Sequence, residues 1–182
     1  SGTNFAFATP PTISTNGTLT FRAATNAVGT NVITVVMKDT GGTSNGGKDS
    51  VTNTFEIGIT PVNDAPYFAK LTSKTIQEDV LTNTMVIHVT DIDTASSNLV
   101  VTATSSDTNI ATVAVVETNI LNAANAAYTL AFTPQTNAFG SLSVTLVAND
   151  GELSTTNSFL LTVSPVNDAP SFTLSTNLLV VP

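Results

Sequence analysis

The hexapeptide PVNDAP occurs twice, at Pro61 to Pro66 and again at Pro165 to Pro170, 104 residues later. Recurrence at that distance makes the chain a tandem repeat, in which each copy of about 100 residues has to bury its own core. The likeness runs upstream of the hexapeptide. FEIGITPVNDAP (Phe55 to Pro66) parallels FLLTVSPVNDAP (Phe159 to Pro170), and LTFRAATNAVGT (Leu19 to Thr30) parallels LAFTPQTNAFGS (Leu130 to Ser141) at an offset of 111. The change of offset places a seven-residue insertion in TGGTSNGGKDS (Thr40 to Ser50), against the shorter NDGELS (Asn149 to Ser154). An exposed hairpin loop tolerates such an insertion.

The alignment sets the expected organisation. Residues 65–168 form one complete repeat. Residues 1–64 match its C-terminal part, with Ser1 opposite Thr112, and residues 169–182 match the first strand of a following copy. The first ten residues, SGTNFAFATP, have neither a basic segment nor an apolar run, so any export signal is expected outside this sequence.

Alternation of apolar and polar residues marks strands. Met85, Ile87 and Val89 share one face, with Val86, His88 and Thr90 on the other. Similar sets follow at Leu99, Val101 and Ala103, then at Ala111 to Glu117, and at Tyr128, Leu130 and Phe132. Two more run through Leu142, Val144, Leu146 and Ala148 and through Phe159, Leu161 and Val163. With a first strand around Phe68 to Ile76, seven strands and no helix are expected. That count in about 100 residues fits an all-β immunoglobulin-like Greek-key sandwich. The 34 threonines suit strands and the 18 asparagines suit turns.

Charge narrows the function classes. Five basic residues stand against thirteen acidic ones, for a net charge of −8. Such a surface repels phosphates and anionic headgroups, which argues against nucleic acid and membrane insertion. Cations are the more natural partner, and solubility alone is the bland explanation. Cysteine is absent, which removes disulfides and thiol chemistry. His88 is the sole histidine, on the outward strand face, and no nucleophile motif accompanies it, so an enzyme is not expected. No Trp is present to make a flat sugar platform.

PVNDAP, QEDV (Gln77 to Val80), DID (Asp91 to Asp93) and LAFTPQTNAFGSLSVTLVANDGE (Leu130 to Glu152) together resemble bacterial cadherin-like tandem repeats of large adhesins and surface proteins. The resemblance covers almost the whole chain. It implies an extracellular or cell-surface location, a spacer or adhesion role, neighbouring repeats as partners, and calcium at the junctions. The implied ligands are Asn63 and Asp64 of the linker, Asp91 and Asp93 in the next repeat, and Asp150 of NDG. Asp39 is the equivalent of Asp150 in the first copy, and Asn167, Asp168 and Glu78, with Asp79 beside it, belong to the second junction. Calcium takes about six to eight oxygen ligands, and alternation would put Asp91 and Asp93 on one side of an extended segment.

The pattern also departs from the family. Ala65 follows Asn63-Asp64 where a further oxygen-bearing residue is usual, and the acidic pair of the preceding repeat is replaced by residues near Gln135 and Asn137, or Ala24 to Asn26. Asx turns at Asn63, Asp91 and Asn149 would need no metal. Three functions therefore remain open: a structural spacer, a fibre subunit donating the strand Ser171 to Val180 to another copy's incomplete sandwich, and a glycan- or receptor-binding domain.

Overall fold

The computed structural model describes residues 4–81 and 83–173. Much of the expected strand Ser171 to Val180 therefore lies outside the described residues. The chain divides into two compact units between Val62 and Asn63, inside the first PVNDAP segment. The division falls two residues ahead of the boundary expected from the alignment, because Asn63 and Asp64 are hydrogen-bonded into the second unit.

The first unit consists of two antiparallel hairpins. β1 (Phe7–Ile13) pairs with β2 (Leu19–Ala23), and β3 (Gly29–Lys38) pairs with β4 (Ser50–Ile59). The insertion forms the loop between β3 and β4, with a single 3-10 turn at Ser44–Gly46. Phe5, Phe7 and Phe21 meet edge to face, at centroid distances of 4.8 and 5.9 Å. The Asn31 side-chain amide donates to the Phe5 carbonyl at 2.8 Å.

The second unit is a two-sheet sandwich of eight strands. β5 (Tyr67–Phe68), β7 (Asn83–Thr90), β10 (Asn125–Pro134) and β9 (Ala111–Asn122) form one sheet in the order β5-β7-β10-β9. β6 (Lys74–Gln77), β12 (Ser154–Ser164), β11 (Gly140–Asn149) and β8 (Val100–Ser105) form the other, in the order β6-β12-β11-β8. All neighbours are antiparallel except β6 and β12, which run parallel. This is the Greek-key arrangement of immunoglobulin-like domains, so the chain is an all-β protein of such repeats in tandem.

The single first strand expected around Phe68 to Ile76 is in fact two. β5 adds to β7, the chain crosses to the opposite sheet with Leu71 packed against the core, and β6 adds to β12. One segment thereby covers an edge of each sheet.

The core is the set that alternation marks. Ile87 and Val89, Leu130 and Phe132, Val144 and Leu146, and Leu161 and Val163 are buried between the sheets, while His88 is exposed. Phe132 and Phe159 meet edge to face across the core, 6.2 Å apart. Tyr128 is buried with them, and its hydroxyl donates to the Leu99 carbonyl at 3.1 Å, which answers the cost of a polar tip inside. Burial pushes its pKa up.

The two units share local geometry as well as sequence. Asn26 and Asn137 both adopt left-handed backbone, at φ of 55° and 54°, and Gly29 and Gly140 follow at 129° and 143°. In each turn the N–H three residues after the opening carbonyl closes at 3.3 Å, Ala27 to Ala24 and Ala138 to Gln135. Phe132→Ala is expected to cost about 3–5 kcal/mol by opening a cavity. Tyr128→Phe should cost about 1 kcal/mol by removing the hydrogen bond while keeping the ring. Denaturant unfolding of the two variants checks both values and their order.

Candidate junction site

The residues singled out around the first PVNDAP segment gather at one end of the second unit, where β7 and β11 finish. β7 ends at Thr90, whose hydroxyl donates to the Asn125 side-chain oxygen, and the chain then turns sharply. Asp91 is buried and sets the turn. Its Oδ1 accepts the N–H groups of Asp93 at 3.0 Å and Thr94 at 2.7 Å. The segment is therefore bent, not extended as alternation suggested, because an Asx turn captures the backbone two and three residues on.

The turn presents Asp93 to the linker, where its Oδ2 accepts the Asp64 N–H at 2.9 Å. On the far side, Asp150 opens the loop between β11 and β12. Its Oδ1 accepts the N–H groups of Glu152 and Leu153, both at 2.7 Å, and its Oδ2 accepts the Asn63 amide at 2.8 Å. Two loops of the second unit thus hold two consecutive linker residues. The donors keep the Asp150 carboxyl below the ordinary aspartate range, the Leu153 N–H most, then those of Glu152 and the Asn63 amide.

Glu78, Asn167 and Asp168 lie at the opposite end of the sandwich, which the 11 residues of β12 span. Glu78 follows β6 and is buried. Its N–H donates to the Ser164 carbonyl at 3.1 Å, and its Oε1 accepts the Val166 N–H at 2.9 Å. It therefore fixes the chain as it enters the second PVNDAP segment. Asp79 next to it adopts left-handed backbone, at φ 62°. In that hexapeptide the Asn167 amide donates to the Asp168 carbonyl at 3.2 Å. Asp39 belongs to the first unit, where its Oδ1 accepts the Gly41 N–H at 2.8 Å in the loop after β3.

Sequence reasoning passed over Ser96. Ser96 is buried, with its N–H on the Ala123 carbonyl at 2.8 Å and its hydroxyl on the Asn122 carbonyl at 2.6 Å, which ties the bent segment to the turn between β9 and β10. Asn149 accepts the Gly151 N–H at 2.8 Å and donates to Ser154 at 2.7 Å, closing the NDG turn. The Asn149-Asp150-Gly151 turn is the one expected from the sequence, whereas a serine in a polar loop gives no signal for Ser96.

Calcium is the ion the family resemblance implies, and the residues fit it only in part. Among the described residues no group of three or more Asp, Glu or His converges on a point that would hold an ion. Asp91 Oδ1, Asp93 Oδ2, both oxygens of Asp150, Glu78 Oε1 and Asp39 Oδ1 accept N–H groups. Asp91 Oδ2 and Glu78 Oε2, one at each end of the sandwich, are buried without a hydrogen-bond partner.

No family model and no curated protein matches the chain. Among solved structures it is similar to domains 4 and 5 of the S-layer protein SbsC, at 18% identity and a TM-score of 0.39, over 84% of this chain and 64% of that one. It is also similar to titin domains Z1Z2 in complex with telethonin, at 18% identity and 0.38, over 87% of this chain and 73% of that one. An endo-fucoidan hydrolase from glycoside hydrolase family 107 aligns at 18% identity and 0.41, over 92% of this chain and 23% of that one.

Because the Asp150 pKa is lowered on folding, its contribution to stability is present above the ordinary aspartate value of about 3.9 and is lost as pH falls through the depressed one. Asp150→Ala is expected to lower the thermal midpoint at neutral pH, and the gap from the parent should close as pH approaches about 2. Thermal melts across that range check the sign.

Proposed function

We propose that the chain is a non-catalytic structural module of an extracellular or cell-surface protein, a spacer in which each repeat adds length and holds the linker that precedes it. The observation that carries this reading is the double grip on the linker, Asn63 on Asp150 and Asp64 on Asp93. The carboxylates at this end cap turns and hold backbone, which is work suited to fixing a direction. In this reading residues 65–168 are one complete repeat, 1–64 the C-terminal part of another, and 169–182 the start of a third. Polypeptides with two, three and four copies of residues 65–168 are expected to lengthen by a constant step of about 35–40 Å per copy, the length of an 11-residue strand with its turn. Small-angle scattering measures the step, and a particle that stays compact as copies are added refutes the spacer. Fibres in electron micrographs of the same samples would favour strand exchange instead.

A second reading adds calcium to the junction, and the two unpartnered buried oxygens of Asp91 and Glu78 favour it. In a tandem array the trailing end of one repeat meets the leading end of the next, so these oxygens would serve the same junctions. An ion there would supply the charge partner that a buried carboxylate oxygen otherwise lacks. Calcium is then expected to raise the thermal midpoint of the parent, with a smaller rise in Asp91→Asn and Glu78→Gln. Titration calorimetry without heat, together with unchanged melting, removes calcium and leaves the spacer standing.

A further inference from the structure

The four strands of the first unit correspond in sequence to β9, β10, β11 and β12, yet they are not sealed in the same way. Phe132 is 0% exposed, and its counterpart Phe21 is 42% exposed. Ala148 is 0% exposed, and its counterpart Met37 is 68% exposed. A groove of about 230 Å³ runs between the hairpins, with Ile13, Leu19, Ile33 and Val35 among the residues that line it. These are core positions without the other half of a core.

The second unit shows what fills that half. β7 lies antiparallel on β10 from Thr90 to Asn83, β8 lies antiparallel on β11, and β6 lies parallel on β12. In the first unit the corresponding edges of β2, β3 and β4 have no strand beside them among the described residues. The vacancy is for three strands of defined direction.

We infer that the first unit is a strand acceptor whose partner is a polypeptide segment of the kind formed by residues 65–104. Such a segment carries one strand to run parallel on β4 and two to run antiparallel on β3 and β2, with apolar residues in the places of Ile76, Ile87, Val89 and Val101. A second copy of this chain is a poor occupant, because its own residues of this type are already buried in its sandwich. A single donated strand is poorer still, since it fills one edge of three. The inference rests on the correspondence between the two units and not on the spacer role, so either can fail alone.

The register places the join. Phe7 stands opposite Ala23 as Ala111 stands opposite Pro134, which aligns the start of β1 with the start of β9 at an offset of 104. The full chain with a second copy of residues 65–104 ahead of Ser1 is compared with the parent by amide hydrogen exchange. The amides of β2, β3 and β4 are expected to exchange about 100-fold more slowly or better in the extended chain, as edges become interior strands. The same extension carrying aspartate for valine at the copied positions of Val89 and Val101 should give no such gain.

In the unextended parent, Met37 is expected to be oxidised by dilute peroxide at the rate of a free peptide. That measurement does not depend on the extension folding. Protection of β2 to β4 in the unextended parent equal to that of β10 to β12, or a slow Met37, overturns the inference by showing the face already covered. Equal exchange with and without the extension overturns it by showing that the segment does not fit.

Discussion

A β-sheet with one apolar face is stable only when that face is covered, and the architecture of this chain follows from where the cover is present. In the second unit, each strand contributes its inward residues to one layer between two sheets. Leu130 and Phe132 of β10 meet Val144 and Leu146 of β11 and Phe159 of β12 in a single continuous core. Burying a side chain of this size is worth about 1.5–3 kcal/mol, so the fourteen large ones in this core outweigh any hydrogen bond at the ends. The loops that hold the linker can be irregular because the sandwich beneath them is fixed.

Those loops use carboxylates as backbone acceptors. Asp91 and Asp150 each take two N–H groups on one oxygen and so replace a stretch of regular pairing at the end of a strand. Hydrogen bonds to a charged acceptor are stronger than neutral ones, and here they orient Asp93 and Asp150 Oδ2 toward the linker. The remaining oxygen of Asp91 has no partner and is buried, which is costly wherever no cation or water answers it. A cation competing for this end would have to coordinate that oxygen without displacing the N–H groups from the other.

The core was legible in the sequence because alternation has the same period as the strand. Ile87, Leu130, Phe132, Val144, Leu161 and their neighbours could be placed on the inward face, and His88 outside, from position alone. Ends were less legible. The separation of β5 from β6 depends on which sheet each half meets, and the run from Tyr67 to Gln77 carries no turn signal for it. Asp91 and Asp93 were recognisable as a pair, but alternation assumes extended backbone, and the Asx turn at Asp91 breaks that assumption. The linker partners follow from tertiary placement: Asn63 reaches Asp150 across 87 residues of sequence, a separation that no local pattern encodes.

Edge management separates the two units more sharply than core composition does. The second unit protects its borders. Its outer strand β8 has only six residues, β6 covers β12, and the long β9 carries register shifts beside Ala126 and Leu130 that interrupt a flat edge. The first unit has none of these features on its long strands. β3 and β4 pair in ten unbroken steps from Gly29 opposite Ile59 to Lys38 opposite Ser50, with no bulge or proline. Charge does little to guard them, since Lys38 and Glu56 are the only ionisable side chains on the two strands. Unprotected edges of that length invite pairing, and a sequence that shields the borders of one copy has no reason to leave those of the other open. The shielding is absent where the equivalent strands of the second unit have neighbours, at the partners of β6 and β8. Bare edges and exposed apolar residues therefore fall on the same strands of the first unit.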